Sequence, residues 1–218
     1  MKKKLLLGLG VLFAILLGVY GRDAIGLYYL VDTIETDAKA HDADAGVWPQ
    51  VVDGCNGCHG SQGNSLHQRY PSLAGQPAAY IETQLRNFAS GERSYPAMGP
   101  MAMILSEEEI KTLADYYARH KAAENTWFKP DPSLREQGMQ LVKAGACAAC
   151  HGENLMGQGA FPRLASQGAD YLMAQLDAFA DGRRVDPAGS MQAITAKLTA
   201  DERKAISHYL ASLAPKTQ

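Results

Sequence analysis

Four cysteines decide most of what this chain can be, because all four fall in two copies of one pentapeptide. These are Cys55-Asn56-Gly57-Cys58-His59 and Cys147-Ala148-Ala149-Cys150-His151. Two thiols one helical turn apart have the spacing to add to the two vinyl groups of one porphyrin, and the histidine next in sequence then lies under its iron. The motifs predict two covalently bound haem c groups (iron), attached through Cys55, Cys58, Cys147 and Cys150, with His59 and His151 as metal ligands. A four-cysteine zinc site would draw on two C-x-x-C pairs, but each pair here is followed by histidine and stands in its own repeat. A redox dithiol would need a strand-rich thioredoxin setting, and no stretch sustains strand alternation. No cysteine is left over for a long-range disulfide or a free nucleophile.

The duplication extends well beyond the cysteines. Tyr70-Pro71-Ser72-Leu73-Ala74 aligns with Phe161-Pro162-Arg163-Leu164-Ala165, Tyr80 with Tyr171, and Gln84-Leu85 with Gln175-Leu176. Phe88 pairs with Phe179, Gly91 with Gly182 and Arg93 with Arg184. The register shifts slightly after a small insertion, and Leu105-Ser106 then meets Leu198-Thr199, and Tyr116 meets Tyr209. A self-similarity of this kind predicts two small domains, 45–120 and 133–218. The stretch 121–132, with Trp127, Pro130 and Pro132, reads as the linker between them.

Helix signals dominate each copy. Ser106 to Glu109 and Thr199 to Glu202 have the pattern of capping boxes. Behind them Ile110, Leu113, Ala114 and Tyr117 share a face, as do Ile206, Tyr209, Leu210 and Leu213. A middle helix follows Pro77, with Ile81, Leu85 and Phe88 on one side, and another starts at Ser133 and runs toward Cys147. Short helices over about 90 residues bury little apolar surface of their own, so a bound haem would complete each core.

The sixth iron ligand is open to methionine, histidine or no protein group at all. The repeat decides between them: Met98 stands eight residues before Ser106 and Met191 eight before Thr199. No other methionine has an equivalent in the other copy. Met98 and Met191 are therefore the predicted metal ligands, each on a loop. Met101, Met103 and Met173 read as gap-fillers, and His41, His67, His120 and His208 as local hydrogen-bonding groups.

The chain begins with Lys2-Lys3-Lys4 and an apolar run from Leu5 to Tyr20, the pattern of export. No Ala-x-Ala-like site ends the run, and a second apolar stretch from Ala24 to Val31 follows. The expectation is a retained transmembrane helix over residues 1–31 and an acidic tether over 32–44, with a cleaved signal and a soluble periplasmic protein as the alternative. The net charge of −2 gives no reason to expect nucleic acid as a partner.

These features resemble the cytochrome c4 family of dihaem cytochromes over roughly residues 45–214. The C-x-x-C-H-G starts, the Pro71-Ser72-Leu73-Ala74-Gly75-Gln76 string, the Tyr-x-x-x-Gln-Leu helices and the methionine before Leu-Ser carry the resemblance. The second copy departs from it, with Ser166 where the first has Gly75. The resemblance implies an all-α fold of two tandem class I cytochrome c domains around covalent haems, here preceded by the N-terminal helix. It implies that the carbonyls of Pro71 and Pro162 accept from the proximal histidines, an outer contact that orients the ligand. Arg93 and Arg184 sit where a haem propionate would be paired, or else are surface arginines. The implied role is an electron carrier, not an enzyme, working from a quinol-oxidising donor to a terminal oxidase at the periplasmic side of the bacterial inner membrane. With methionine offered in both copies, no small-molecule substrate is expected. The alternatives are a fixed subunit of a larger membrane oxidoreductase complex, or a dihaem redox enzyme such as a peroxidase.

Overall fold

The computed structural model describes residues 51–216 and, ahead of them, scattered positions between Gly10 and Lys39. The chain divides into two compact units, Met1–Trp48 and Pro49–Gln218. The predicted membrane helix at 1–31 and tether at 32–44 lie largely outside the described residues. Those described there are helical and include an exposed Lys39–Glu35 ion pair. Among the described residues no helix is long and apolar enough to cross a membrane.

The second unit is all-helical, with no strand among the described residues and a single isolated bridge between Gln158 and Phe161. Its first lobe runs α1 (Asp53–His59), a 3-10 turn (Ser61–Gly63), α2 (Ala78–Ser90), α3 (Met98–Met103) and α4 (Glu107–Arg119). The second lobe runs α5 (Pro132–Ala144), α6 (Ala148–His151), α7 (Ala169–Ala180), α8 (Ser190–Thr195) and α9 (Ala200–Ala211). Both predicted capping boxes form: Ser106 accepts from the Glu109 N–H and Thr199 from the Glu202 N–H, while each glutamate reaches back to the cap. They fix where α4 and α9 begin, and thus which residues face inward. Ile110, Leu113, Ala114 and Tyr117 are buried on α4; Ile206 and Leu210 are buried on α9, with Tyr209 and Leu213 half-buried beside them.

In the first lobe α2 packs on both α3 and α4, and in the second α9 packs on α5 and α7. The α5–α9 crossing is tight because Gly138 carries no side chain: a Cβ there would stand 2.1 Å from the Ala205 carbonyl oxygen. The second lobe's core gathers Val142, Leu155, Leu172, Ile206 and Leu210.

The linker does more than span a gap. Asn64 binds it at Lys121 and Ala123. Asn125 exchanges amide hydrogen bonds with Gln68 of the first lobe, and donates to Ser166 and Gln167 of the second. One amide side chain thereby holds both lobes.

Two sequence expectations change shape here. Met98 and Met191 do not sit on loops; Met98 opens α3, and Met191 is the second residue of α8. The flanking prolines and Gly189 mark the approach to each helix, and the helix starts where those residues end. Arg93 and Arg184 are not surface arginines: Arg93 is half-buried and Arg184 is buried.

Candidate functional site

The C-x-x-C-H segments fold as single helical turns, which is what their spacing requires. Cys55 and Cys58 lie three apart on α1, and Cys147 caps α6, which carries Cys150. None of the four is in a disulfide; Cys55 and Cys147 are half-buried and Cys58 and Cys150 exposed. Burial pushes the Cys55 and Cys147 thiols up, with the Tyr117 hydroxyl acting against it at Cys55. Each turn stops at a glycine with positive φ, Gly60 at +77° and Gly152 at +83°. A Cβ at Gly60 would stand 2.0 Å from the Asn64 carbonyl oxygen, so the chain must turn away directly after each histidine.

Both histidines are buried, and both are held the same way. His59 Nδ1 lies 2.8 Å from the Pro71 carbonyl oxygen and His151 Nδ1 lies 2.8 Å from that of Pro162. A carbonyl only accepts, so Nδ1 carries the hydrogen and Nε2 carries the lone pair. Burial lowers the pKa of both rings, and the carbonyl contact partly opposes it. Burial thus favours the neutral ring, and the carbonyl orients it with Nε2 as the nitrogen available to a metal.

In the first lobe these groups surround a cavity of about 1420 Å³. Cys55, Cys58, His59 and Met98 line it, against apolar walls that include Ile81, Leu85 and Phe88. This donor set fits a porphyrin: two thiols for attachment, a nitrogen and a thioether sulfur for iron, and apolar faces for the ring. Met101 lines the same cavity and competes with Met98 on position alone. The repeat register separates them, since only Met98 has a counterpart. The backbone approach to the two methionines differs. Met98 N–H and Gly99 N–H both donate to the Tyr95 carbonyl. In the second lobe it is a side chain that receives them: the Asp186 carboxylate accepts from both Ser190 N–H and Met191 N–H.

The first cavity is closed in part by the second lobe, through Tyr171, Gln175 and Arg184. These belong to a pseudo-twofold hydrogen-bond network. Arg93 donates to Gln84 of its own lobe and to Tyr171 and Gln175 of the other. Arg184 donates to Gln175 of its own lobe and to Tyr80 and Gln84 of the other. Each guanidinium also lies 4.6 Å over a phenylalanine ring, Phe88 or Phe179. Burial raises the Tyr171 pKa, but the two guanidiniums outweigh it and bring the hydroxyl down to about 8.

A second cross-lobe set surrounds the prolines. Gln76 and Gln167, both buried, each exchange two hydrogen bonds with the backbone of the opposite lobe, at Arg163 and Ser72 respectively. Arg163 is 1% exposed and donates to the carbonyls of Ser72, Ala74 and Ala165. Burial lowers its pKa to about 10, and carbonyl oxygens take the place of a carboxylate partner. The glutamines are not predicted as site residues. Their signal is a buried polar side chain at the same register in both copies, five residues after the proline.

Comparison with known proteins agrees with this geometry. A cytochrome c family model matches residues 136–214, and the model for subunit III of cbb3-type cytochrome c oxidase matches residues 47–116. Cytochrome c4 of Thiocapsa roseopersicina is 41% identical over 170 residues, covering 73% of this chain and 86% of that protein. A thiosulfate dehydrogenase electron acceptor of Thiomonas intermedia is 35% identical over 174 residues, covering 75% and 80%. Among solved structures, reduced recombinant cytochrome c4 from Pseudomonas stutzeri superposes with a TM-score of 0.70 at 31% identity, covering 74% of this chain and 94% of that one. The thiosulfate dehydrogenase from Marichromatium purpuratum, as isolated, gives 0.66 at 35% identity, but this chain spans only 36% of it. Two haem-binding sites, at Cys55–Cys58 and Cys147–Cys150, follow from the motifs and the family together.

Proposed function

The chain belongs to the cytochrome c4 family of dihaem electron carriers, and from that premise we propose that it carries electrons from a quinol-oxidising complex toward a terminal oxidase at the periplasmic face of the inner membrane. The observation that carries this reading is the twofold occurrence of one arrangement: a buried histidine fixed at 2.8 Å on a proline carbonyl, with a methionine at matching register. Bound haem supplies the one-electron iron couple. His59 and Met98 are proposed to hold the first iron, and His151 and Met191 the second. A methionine beside each histidine would leave a bound iron no open position for a small-molecule substrate. Arg93 and Arg184 are proposed to offset the propionate charge while they tie the lobes together. The first cavity reaches the cross-lobe network, so an electron passing between the lobes would cross the contact that Arg93 and Arg184 make.

The N-terminal apolar run is proposed to tether the carrier, which raises its effective concentration near membrane complexes. A second reading is favoured by the relatives described as thiosulfate dehydrogenase electron acceptors. In that reading the donor is a thiosulfate-oxidising enzyme, and the carrier itself is unchanged.

The test uses purified protein carrying two haems, reduced and then mixed with inner-membrane vesicles containing a terminal oxidase. Rapid reoxidation, abolished by cyanide and absent in buffer, is expected. Reoxidation no faster than in buffer, or steady turnover of hydrogen peroxide without a partner, would overturn the carrier role. Reduction by quinol-oxidising vesicles, set against reduction by a thiosulfate dehydrogenase, separates the two donors.

A further inference from the structure

We propose that Gln76 and Gln167 are positioning residues, each of which tunes the proximal histidine of the opposite lobe through a single peptide group. The proposal rests on the haem reading above and adds a coupling between the two sites.

The connection is short. The Pro71 carbonyl, which accepts from His59 Nδ1 at 2.8 Å, belongs to the same peptide group as the Ser72 N–H. That N–H donates to Gln167 Oε1 at 2.6 Å. The arrangement repeats with the lobes exchanged: the Pro162 carbonyl accepts from His151 Nδ1 at 2.8 Å, and the Arg163 N–H of that peptide donates to Gln76 Oε1 at 2.8 Å. Each glutamine then returns its own Nε2–H to the carbonyl of the same residue, Ser72 at 3.0 Å or Arg163 at 3.0 Å. The amide is locked in one orientation, with Oε1 toward the peptide N–H. Both glutamines are buried, at 4% and 1% exposure, so water does not compete for these bonds.

The direction of the effect follows from peptide polarisation. A hydrogen bond accepted from the N–H draws electron density toward the carbonyl oxygen and makes it a better acceptor, a cooperative strengthening of about 10–30% per bond. A better acceptor pulls harder on the Nδ1 hydrogen and makes Nε2 more basic. A more basic ligand favours oxidised iron, so each glutamine lowers the reduction potential of the haem in the lobe it does not belong to.

The two lobes are unequal in this respect. Ser72 O accepts from Gln167 and also from the Arg163 guanidinium at 3.1 Å, whereas among the described residues Arg163 O accepts from the Gln76 side chain alone. Gln76 also lines the first cavity, so Gln167 is the probe used; its Oε1 also accepts from the Gly168 N–H of its own lobe at 3.2 Å.

The experiment is a potentiometric titration of the intact dihaem protein with Gln167→Met, a substitution of similar shape that removes the acceptor. The haems are told apart by NMR contacts from their methyl groups to Tyr117, which lines the first cavity and is replaced by Leu210 in the second lobe. The first-lobe potential is expected to rise by a threefold change in the redox equilibrium. That is about 28 mV, at about 59 mV per tenfold change for one electron. The hyperfine-shifted His59 Nδ1–H resonance is expected to move with it, while the second haem stays put. The mirror variant Gln76→Met removes the acceptor from the Arg163 N–H and is expected to raise the second-lobe potential instead. In Gln167→Met, equal shifts at both haems, a shift confined to the second haem, or no shift at all would overturn the proposal, as would a Gln76→Met shift confined to the first haem. Two redox-active haems with methionine–iron absorption in the parent protein uphold the haem reading on which the proposal rests, whichever way the glutamine result falls.

Discussion

The two lobes hold their histidines identically but wall them off differently. Proline carbonyl, capping box, arginine over phenylalanine and the cross-lobe glutamine all recur at matching positions. Beneath that agreement, the first lobe places Gly63 against Tyr117, where the second places Leu155 and Leu210. Gly63 and Leu155 do the same backbone work: each carbonyl accepts from the two N–H groups of the Leu-Ala pair that follows the proline, Leu73 and Ala74 or Leu164 and Ala165. Each has positive φ, +80° and +57°. A Cβ on Gly63 would stand 2.6 Å from the Tyr117 ring. The lobes thus exchange volume between partners, a small residue beside a large one in one, and two medium residues in the other. Dense packing tolerates such exchanges only when both partners change. The part that orients the two histidines is kept, while the part that merely fills space is free to drift in compensating pairs.

The largest test of the shared part is to change one ligand at a time. Met98→His is expected to lower the first haem's potential by roughly a few tenths of a volt, within the ~0.8 V over which axial ligands move haem potentials. Met191→His is expected to do the same at the second haem alone. Each change removes half of the methionine–iron absorption. Met101→Leu, which alters the other methionine of the first cavity, is expected to leave that band intact. If Met101→Leu removes it and Met98→His does not, the equivalence of the lobes fails at its most important position.

The differing part is tested by a swap. Gly63→Leu alone is expected to destabilise the protein by about 3–4 kcal/mol, from overpacking and an unfavourable left-handed backbone. Adding Tyr117→Leu recreates the second lobe's pair and is expected to recover about 1–3 kcal/mol of that loss. Denaturant unfolding of the dihaem protein measures both. Strict additivity of the two substitutions would mean that the lobes do not trade volume at this site.

The features legible in the sequence are those fixed by short spacings. The haem-attachment turns, the capping boxes at Ser106 and Thr199, and the register that pairs Met98 with Met191 need only a few residues on either side. What the sequence left unread depends on how the lobes meet. Tyr80, Gln84 and Arg93 align visibly with Tyr171, Gln175 and Arg184, and a repeat alignment invites the thought that each trio serves its own lobe. Each arginine does bind its own lobe's glutamine, but it also crosses to the other lobe's tyrosine and glutamine. Arg163, a residue type that usually stays in water, is buried because docking supplies it with backbone carbonyls from both lobes. Local periodicity carries no information on such contacts. The short helices at Met98 and Met191 escaped for a related reason: six-residue helices flanked by proline and glycine have too little pattern to separate from loops.

The smallest effect concerns the position where the second copy departs from the family string, and it shows how a departure can be retained. Gly75 and Ser166 occupy the same left-handed backbone position, at φ +66° and +59°, and each N–H donates to the C-terminal helix of its own lobe, at Tyr117 or Leu210. Glycine is the natural residue there, and serine costs about 1–2 kcal/mol in backbone strain. The Ser166 hydroxyl offsets this by accepting from the Asn125 N–H at 2.7 Å, which fastens the linker to the second lobe. Ser166→Gly relieves the strain but leaves that N–H without its partner, at a cost of about 1–3 kcal/mol, and it frees the unfolded chain. The expected sum is a loss of about 1 kcal/mol or less. Gly75→Ser brings the strain with no such partner in view, and its Cβ would meet Ala122 at 3.4 Å, so a loss of about 1–2 kcal/mol is expected. A gain of stability in Ser166→Gly would show that the linker contact contributes less than the backbone strain it accompanies. A loss in both directions would mean that each lobe has settled on the residue its own side of the linker requires.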